Sequence, residues 1–304
     1  MQTRKNKKHK LIIYLNYGLA NRMFQILSAM GFAEKWNMDL YISEKYMHDN
    51  DHKSVESSIN DIKHIFPTIK ILDKNYDTSN FLKINKNYDI IDYFKIDINL
   101  LKTYDYIIIK NPRSDAILYG QFGNEKFFPK KYVKLNLTEP SNSIIKGYKN
   151  LFFIHFRLGD YKELICFMFN LELEKYYKYC IQKILDKCKN ANFIILSNDI
   201  KSAKKYIKDN KLLDNLTDNT VIYDEKGSRL DSLYYMSQCK GGICANSTFS
   251  WMGAYSIKNK NKDLIFMPNK WLDFKIFDII SNYIIETDGI YPNWATRVPL
   301  DVKV

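Results

Sequence analysis

The chain has 304 residues, enough for about two domains that each bury a core. Hydrophobic residues make up 46% and charged residues 26%, which excludes disordered, collagen-like and fibrous classes. Lysine and arginine (46) outnumber aspartate and glutamate (34), and the net charge of +12 favours an anionic ligand, either nucleic acid or a phosphorylated small molecule.

The segment from Met1 to Lys10 is basic, and only Leu11–Leu15 follow as an apolar stretch before Asn16. A secretory apolar region needs about 7–15 residues, so neither signal peptide nor anchor is expected. Other apolar runs, such as Leu164–Phe169, fall short of the roughly 20 residues of a membrane span. The expected location is cytoplasmic. The cysteines, at 166, 180, 188, 239 and 244, are odd in number and never CxxC-spaced, which points to free thiols rather than disulfides or zinc.

Short β-branched and apolar runs alternate with longer periodic segments. Strands are predicted at Leu11–Leu15, Met38–Ile42, Ile69–Leu72, Tyr106–Ile109 and Ala116–Tyr119 in the first half. In the second half they are predicted at Leu151–His155, Asn192–Leu196, Thr220–Tyr223, Gly242–Ala245 and Leu264–Met267. Apolar runs this short suit a sheet covered on both faces. The clearest helix runs from Glu172 to Lys189, where Leu173, Tyr176, Tyr177, Cys180, Ile181, Ile184, Leu185 and Cys188 mark one face. Others start near Ala20, Ile200, Arg229 and Thr248. Ser43–Lys102 is polar and weakly periodic, and loops and insertions are expected there. This alternation predicts an α/β fold with largely parallel sheets. The turn-rich stretch 139–150 is the expected boundary, giving domains 1–148 and 149–304, with the last thirty or so residues free to cross back.

In parallel sheets, ligands bind beyond the carboxyl ends of strands, so chemistry is sought in the turns that follow them. After the first strand, Gly18 turns the chain into a helix whose first turn carries Asn21 and Arg22; Asn21 is either a ligand contact or a cap. After the Leu151 strand come His155, Arg157, Gly159 and Asp160. His155 and Arg157 point the same way, because strand side chains alternate. A planar guanidinium there suits a diphosphate; the alternative is an Arg157–Asp160 ion pair with His155 in the core. After the Asn192 strand come Ser197 and Asp199, either ribose contacts or a helix cap. After the Gly242 strand, Asn246, Ser247, Thr248 and Phe249 open a helix whose hydroxyls and N–H groups could cradle phosphate, or simply cap it. Asn246-Ser247-Thr248 is also a glycosylation pattern, and a glycan there would block such a pocket. No Walker loop, GxGxxG, DxD, HExxH or aromatic-basic RNA motif is present.

Together these turns resemble the α-1,2-fucosyltransferases of glycosyltransferase family 11. Gly18, Leu19, Asn21, Met23, Phe24 and Gln25 match its Gly-Leu-x-Asn-x-Met-Phe-Gln turn. His155, Arg157, Gly159, Asp160 and Tyr161 match His-x-Arg-x-Gly-Asp-Tyr. Ser197 and Asp199 match Ser-x-Asp, and Asn246–Trp251, Gly253 and Ala254 match the last stretch. Many members carry a second arginine where this chain has Leu158. The resemblance implies a GT-B fold, two Rossmann-like domains facing a cleft, and inverting transfer of L-fucose from GDP-fucose to a β-galactoside O2. It implies no metal or other cofactor, and a glycan acceptor rather than nucleic acid as partner. Donor contacts are then expected from His155, Arg157, Ser197, Asp199, Asn246, Ser247, Thr248 and Phe249, with Asp231 either reading guanine or standing as an acid at a helix start. Arg157, Asp160 as candidate base, and Asn21 as an orienting group form the expected catalytic set; a loose step in which the leaving phosphate takes the proton stays open. So do three rivals: a non-catalytic protein with a degenerate transferase fold, a GDP-sugar transferase using another sugar, and a basic RNA-binding protein.

Overall fold

The computed structural model describes residues 7–48, 55–84, 111–120, 122–159, 171–214, 216, 220–225, 227–271 and 288–303. The chain divides into two compact units, Met1–Asn136 with Ile284–Ile290, and Leu137–Tyr283 with Tyr291–Val304. Each is an α/β unit built on a parallel sheet.

In the first unit, β1 (Lys10–Ile13), β2 (Asp39–Ile42), β3 (Lys70–Ile71), β4 (Leu82–Ile84) and β5 (Ala116–Leu118) lie in the order β3-β2-β1-β5-β4. Every pairing is parallel. Leu11, Ile12 and Ile13 are fully buried, as a central strand covered on both faces requires. Helix α1 (Leu19–Trp36) follows β1, and α2 (Val55–Ile65) lies between β2 and β3. Of the loops expected across 43–102, those at 55–65 and 82–84 are corrected among the described residues. Ile59, Ile62 and Ile65 form the buried stripe of α2, and β4 is an edge strand of three residues, while β3 falls within the strand predicted at Ile69–Leu72. Elements so short, with polar residues between the apolar ones, leave little periodicity to read. The predicted strand at Tyr106–Ile109 lies outside the described residues.

In the second unit the order along the chain is β6 (Leu151–Phe156), α3 (Glu174–Lys187), β7 (Asn192–Ser197), α4 (Ile200–Asp209), β8 (Val221–Tyr223) and α5 (Arg229–Gln238). Then come β9 (Gly241–Ile243), α6 (Thr248–Tyr255), β10 (Ile265–Pro268) and β11 (Thr296–Val298). The sheet order is β8-β7-β6-β9-β10-β11, again all parallel. Counted within the unit this is 3-2-1-4-5-6, the doubly wound order of nucleotide-binding sheets. The predicted face of α3 is the one that packs: Tyr176, Tyr177, Cys180, Ile181 and Ile184 are buried against Phe152, Ile154 and Phe156. Strand β11 was not foreseen; only Val298 of its three residues is buried. The described cysteines, Cys180, Cys188, Cys239 and Cys244, are free thiols. No helix among the described residues is long and apolar enough to cross a membrane.

Candidate functional site

A doubly wound sheet has one place where consecutive connections leave in opposite directions. In the second unit it lies between β6 and β9, paired at Ile154↔Ile243. The segments leaving these strands run side by side, and ligands bind in the crevice between them. They carry His155 and Arg157 on one side and Asn246 to Phe249 on the other. The rings of His155 and Phe249 stand 5.6 Å apart, so the two segments do meet. Two of the motifs read separately in the sequence thus lie side by side.

Each side chain there has a local role. Ser247 is the N-cap of α6, its hydroxyl accepting from the Phe249 N–H at 3.3 Å. The positive end of that helix opens toward Thr248, which is half-buried. Asn246 is buried and donates its amide to the Trp271 carbonyl at 3.0 Å, leaving no room for a glycan. Gly253, also in the matched stretch, is a packing residue: a Cβ there would meet Met236 Sδ at 1.9 Å, where α6 crosses α5. Asp160 lies outside the described residues.

The other predicted residues of this unit end or follow β7 and β8, the next strands on the β6 side of the sheet. Ser197 ends β7, the neighbour of β6, and its hydroxyl accepts from the Asp199 N–H at 3.1 Å. Asp199 is the N-cap of α4, accepting from Ser202 N–H at 3.0 Å. Asp231 follows β8 and closes a capping box: Oδ2 accepts from Ser228 N–H at 3.0 Å and its own N–H donates to Ser228 Oγ at 3.1 Å. Asp224 faces the same turn, held by Gly227 N–H and Ser232 Oγ at 2.8 Å each, and burial raises its carboxyl above the usual range. Sequence reading missed Asp224 and, more consequentially, Asn198, whose side chain reaches the turn after Arg157.

His155 is 2% exposed and its Nδ1 has no hydrogen-bond partner among the described residues. Burial, with the nearby Arg157 guanidinium adding to it, pushes the imidazole down to about 3. The ring is therefore neutral at physiological pH and too weak a base to drive proton abstraction there. The folded pKa lies below the ordinary 6.5, so acidification protonates the unfolded chain first. Between pH 6.5 and about 3, His155 should cost stability as pH falls, by up to about 1.4 kcal/mol per pH unit. Urea unfolding of His155→Gln should show a correspondingly shallower acid limb; an unchanged slope would mean the imidazole is not buried and neutral.

In the first unit the corresponding crevice lies between β1 and β5. Gly18, not Asn21, is the N-cap of α1, which leaves the half-buried Asn21 in the first turn without that duty. Arg22 is buried and its Nη2 donates to the His48 carbonyl at 2.7 Å. Gln25 is fully buried; its amide donates to Asn16 Oδ1 and to the Gly120 carbonyl, tying together the turns that leave β1 and β5. The motif's glutamine thus shapes the turn that presents Asn21. The second unit also has a groove of about 580 Å³ at the amino ends of β6 and β9, bordered by Glu139, Tyr148, Lys149, Tyr234 and Lys240; it shares no residue with the crevice. No group of three or more acidic, histidine or cysteine side chains able to hold a metal occurs among the described residues.

Residues 1–286 match Glycosyl transferase family 11. An alpha-1,2-colitosyltransferase of Escherichia coli is 29% identical over 165 residues, 51% of this chain and 55% of that protein. The O-antigen biosynthesis glycosyltransferase WbnK of Escherichia coli is 31% identical over 121 residues, 39% of this chain and 38% of that protein. The chain thus spans about half the length of the first relative and less of the second. Among solved structures it is similar to POFUT1 in complex with GDP-fucose, at 9% identity and TM-score 0.43, covering 84% of this chain and 95% of that one. It is similar to fucosyltransferase NodZ from Bradyrhizobium at 12% identity and TM-score 0.42, covering 81% and 93%.

Proposed function

Because this chain belongs to glycosyl transferase family 11, we propose that it transfers L-fucose from GDP-fucose to O2 of a β-galactoside, with inversion at the anomeric carbon. One observation carries this reading: Arg157, neutral His155 and the start of α6 converge at the switch point of a doubly wound sheet. The relative named for α-1,2 colitosyl transfer supports the linkage and the sugar class. Colitose is fucose without its 3-hydroxyl, so GDP-colitose is the second donor to test.

In the reaction the acceptor hydroxyl attacks the anomeric carbon and the bond to the diphosphate breaks. Negative charge builds on the β-phosphate. Arg157 supplies a fixed positive fork, and the amino end of α6 supplies N–H groups and a dipole. A neutral His155 donates or accepts one hydrogen bond and adds no charge. The acceptor proton goes to Asp160 or to the leaving phosphate. Neither stabilising group needs a metal.

The test is GDP release against a panel of donors and β-galactoside acceptors, with and without EDTA. Full activity in EDTA is expected with GDP-fucose or GDP-colitose, and little with UDP-galactose. GDP at a hundred times its Kd should stabilise the fold by about 2.7 kcal/mol in thermal unfolding. UDP and ADP should do little, and short RNA should act only at low salt. An absolute requirement for Mg²⁺ or Mn²⁺, or preference for a UDP-sugar, would overturn the reading.

A further inference from the structure

The family motif at the end of β7 reads Ser-x-Asp, and its two named residues look inward on their own turn. Ser197 Oγ accepts the Asp199 N–H, and Asp199 caps α4. Between them stands Asn198, the position the motif leaves unspecified. Its Oδ1 accepts the Leu158 N–H at 3.1 Å and makes a longer contact, 3.5 Å, with the Gly159 N–H. Strands β6 and β7 pair at Phe156↔Ser197, so the turns beginning at 157 and 198 leave the sheet as neighbours. Gly159 leaves the space the amide occupies: a Cβ on it would lie 2.7 Å from Asn198 Nδ2.

We propose that Asn198 is the positioning residue of the turn that carries Arg157. Leu158 lies past the last ladder pairing of β6, and its N–H goes to a side chain. The Asn198 amide supplies the acceptor, and the side chain of Leu158 packs on the core of the second unit. Residue 158 is therefore held twice, by its N–H and by its side chain, and the Arg157 carbonyl–Leu158 peptide cannot rotate without breaking both. Ser197 and Asp199 make the adjoining turn rigid enough to aim the amide. The backbone from which the Arg157 side chain springs is thus set in place before substrate arrives, which matters because the bidentate geometry of a guanidinium is lost by small displacements.

This inference rests on the proposed role of Arg157 in leaving-group stabilisation. The experiment measures kcat and KM for GDP-fucose in Asn198→Ala, Asn198→Asp, Arg157→Lys and the Asn198→Ala/Arg157→Lys double variant, with thermal unfolding of each. Asn198→Ala should lower kcat by about 10- to 100-fold, the cost of a misplaced catalytic group, while KM changes less than threefold. In the Arg157→Lys background the same change should cost less than threefold more, because it acts through Arg157. Asn198→Asp keeps the acceptor oxygen and should recover most of the kcat, with a higher donor KM from its added negative charge. Should Asn198→Ala fail to fold, Gly159→Ala, which pushes the same amide aside, replaces it and should give the same loss. Wild-type kcat in a folded Asn198→Ala protein, or a loss fully additive with Arg157→Lys, overturns the proposal. Wild-type turnover in Arg157→Lys instead overturns the reading of Arg157 beneath it.

Discussion

Replacing Arg157 with lysine should lower turnover by about 10²–10³, the scale for losing a preorganised donor at developing charge. Arg157 follows the last residue of a fully buried strand and is half-buried itself. A lysine keeps the positive charge but loses the planar fork that meets two diphosphate oxygens at once. No second guanidinium stands in the turn to replace it, since the next residue, Leu158, packs on the core. Donor binding should fall less than turnover, because the interaction strengthens as the glycosidic bond breaks. The circular dichroism spectrum should be unchanged, since the substitution lies beyond the strand. Wild-type turnover in a well-folded protein would place leaving-group stabilisation elsewhere.

Removing the carboxylate of Asp231 should weaken GDP binding by roughly 5- to 150-fold, or about 1–3 kcal/mol for a charged hydrogen-bond partner. UDP binding should hardly change. A carboxylate reads guanine by accepting from its N1–H and N2–H, which uracil and adenine cannot offer in that pattern. The structure also gives Asp231 the helix-start role that the sequence left open: one oxygen accepts from Ser228 N–H in a capping box. Asp231→Ala should therefore also cost stability, about 1 kcal/mol for a lost cap. Asp231→Asn separates the two roles, because it keeps an oxygen for Ser228 and removes the charge. Calorimetry with both nucleotides should show Asn losing GDP affinity at nearly wild-type stability. Equal losses for GDP and UDP in both variants would make Asp231 a cap alone.

Some of this molecule was legible in one dimension, for a definite reason. The apolar runs at Leu11 and Leu151 are strands buried on both faces, so their burial needs no knowledge of the neighbours. The face of α3 follows from a 3.6-residue period, and the starts near Ala20, Ile200, Arg229 and Thr248 coincide with helix starts within a residue. Arg157 and Ser247–Phe249 could be picked out because polar groups at the end of a buried strand are costly without a use. The matched motifs, read in order, led to the family that the whole-chain match shows.

Other features depend on which strands are neighbours, and local sequence carries no signal for that. Strand order decides that the turns after β6 and β9 share one crevice and that β7 lies on the other side of β6. Burial decides that His155 is neutral, because desolvation depends on everything packed around the ring and not on the strand that bears it. Hydrogen bonds across 95 residues decide that Gln25 joins two turns, and bonds across 40 decide that Asn198 holds the turn after Arg157. The short edge strands β4 and β11, which the sequence did not mark, pair with β5 and β10. The sequence by itself determined the central strands, the main helices, the family and the residue types suited to a diphosphate, since these follow from local periodicity and side-chain chemistry. Tertiary structure alone decided which of those residues meet, and which unmarked neighbour, Asn198, holds them in place, because such contacts exist only once distant strands lie side by side.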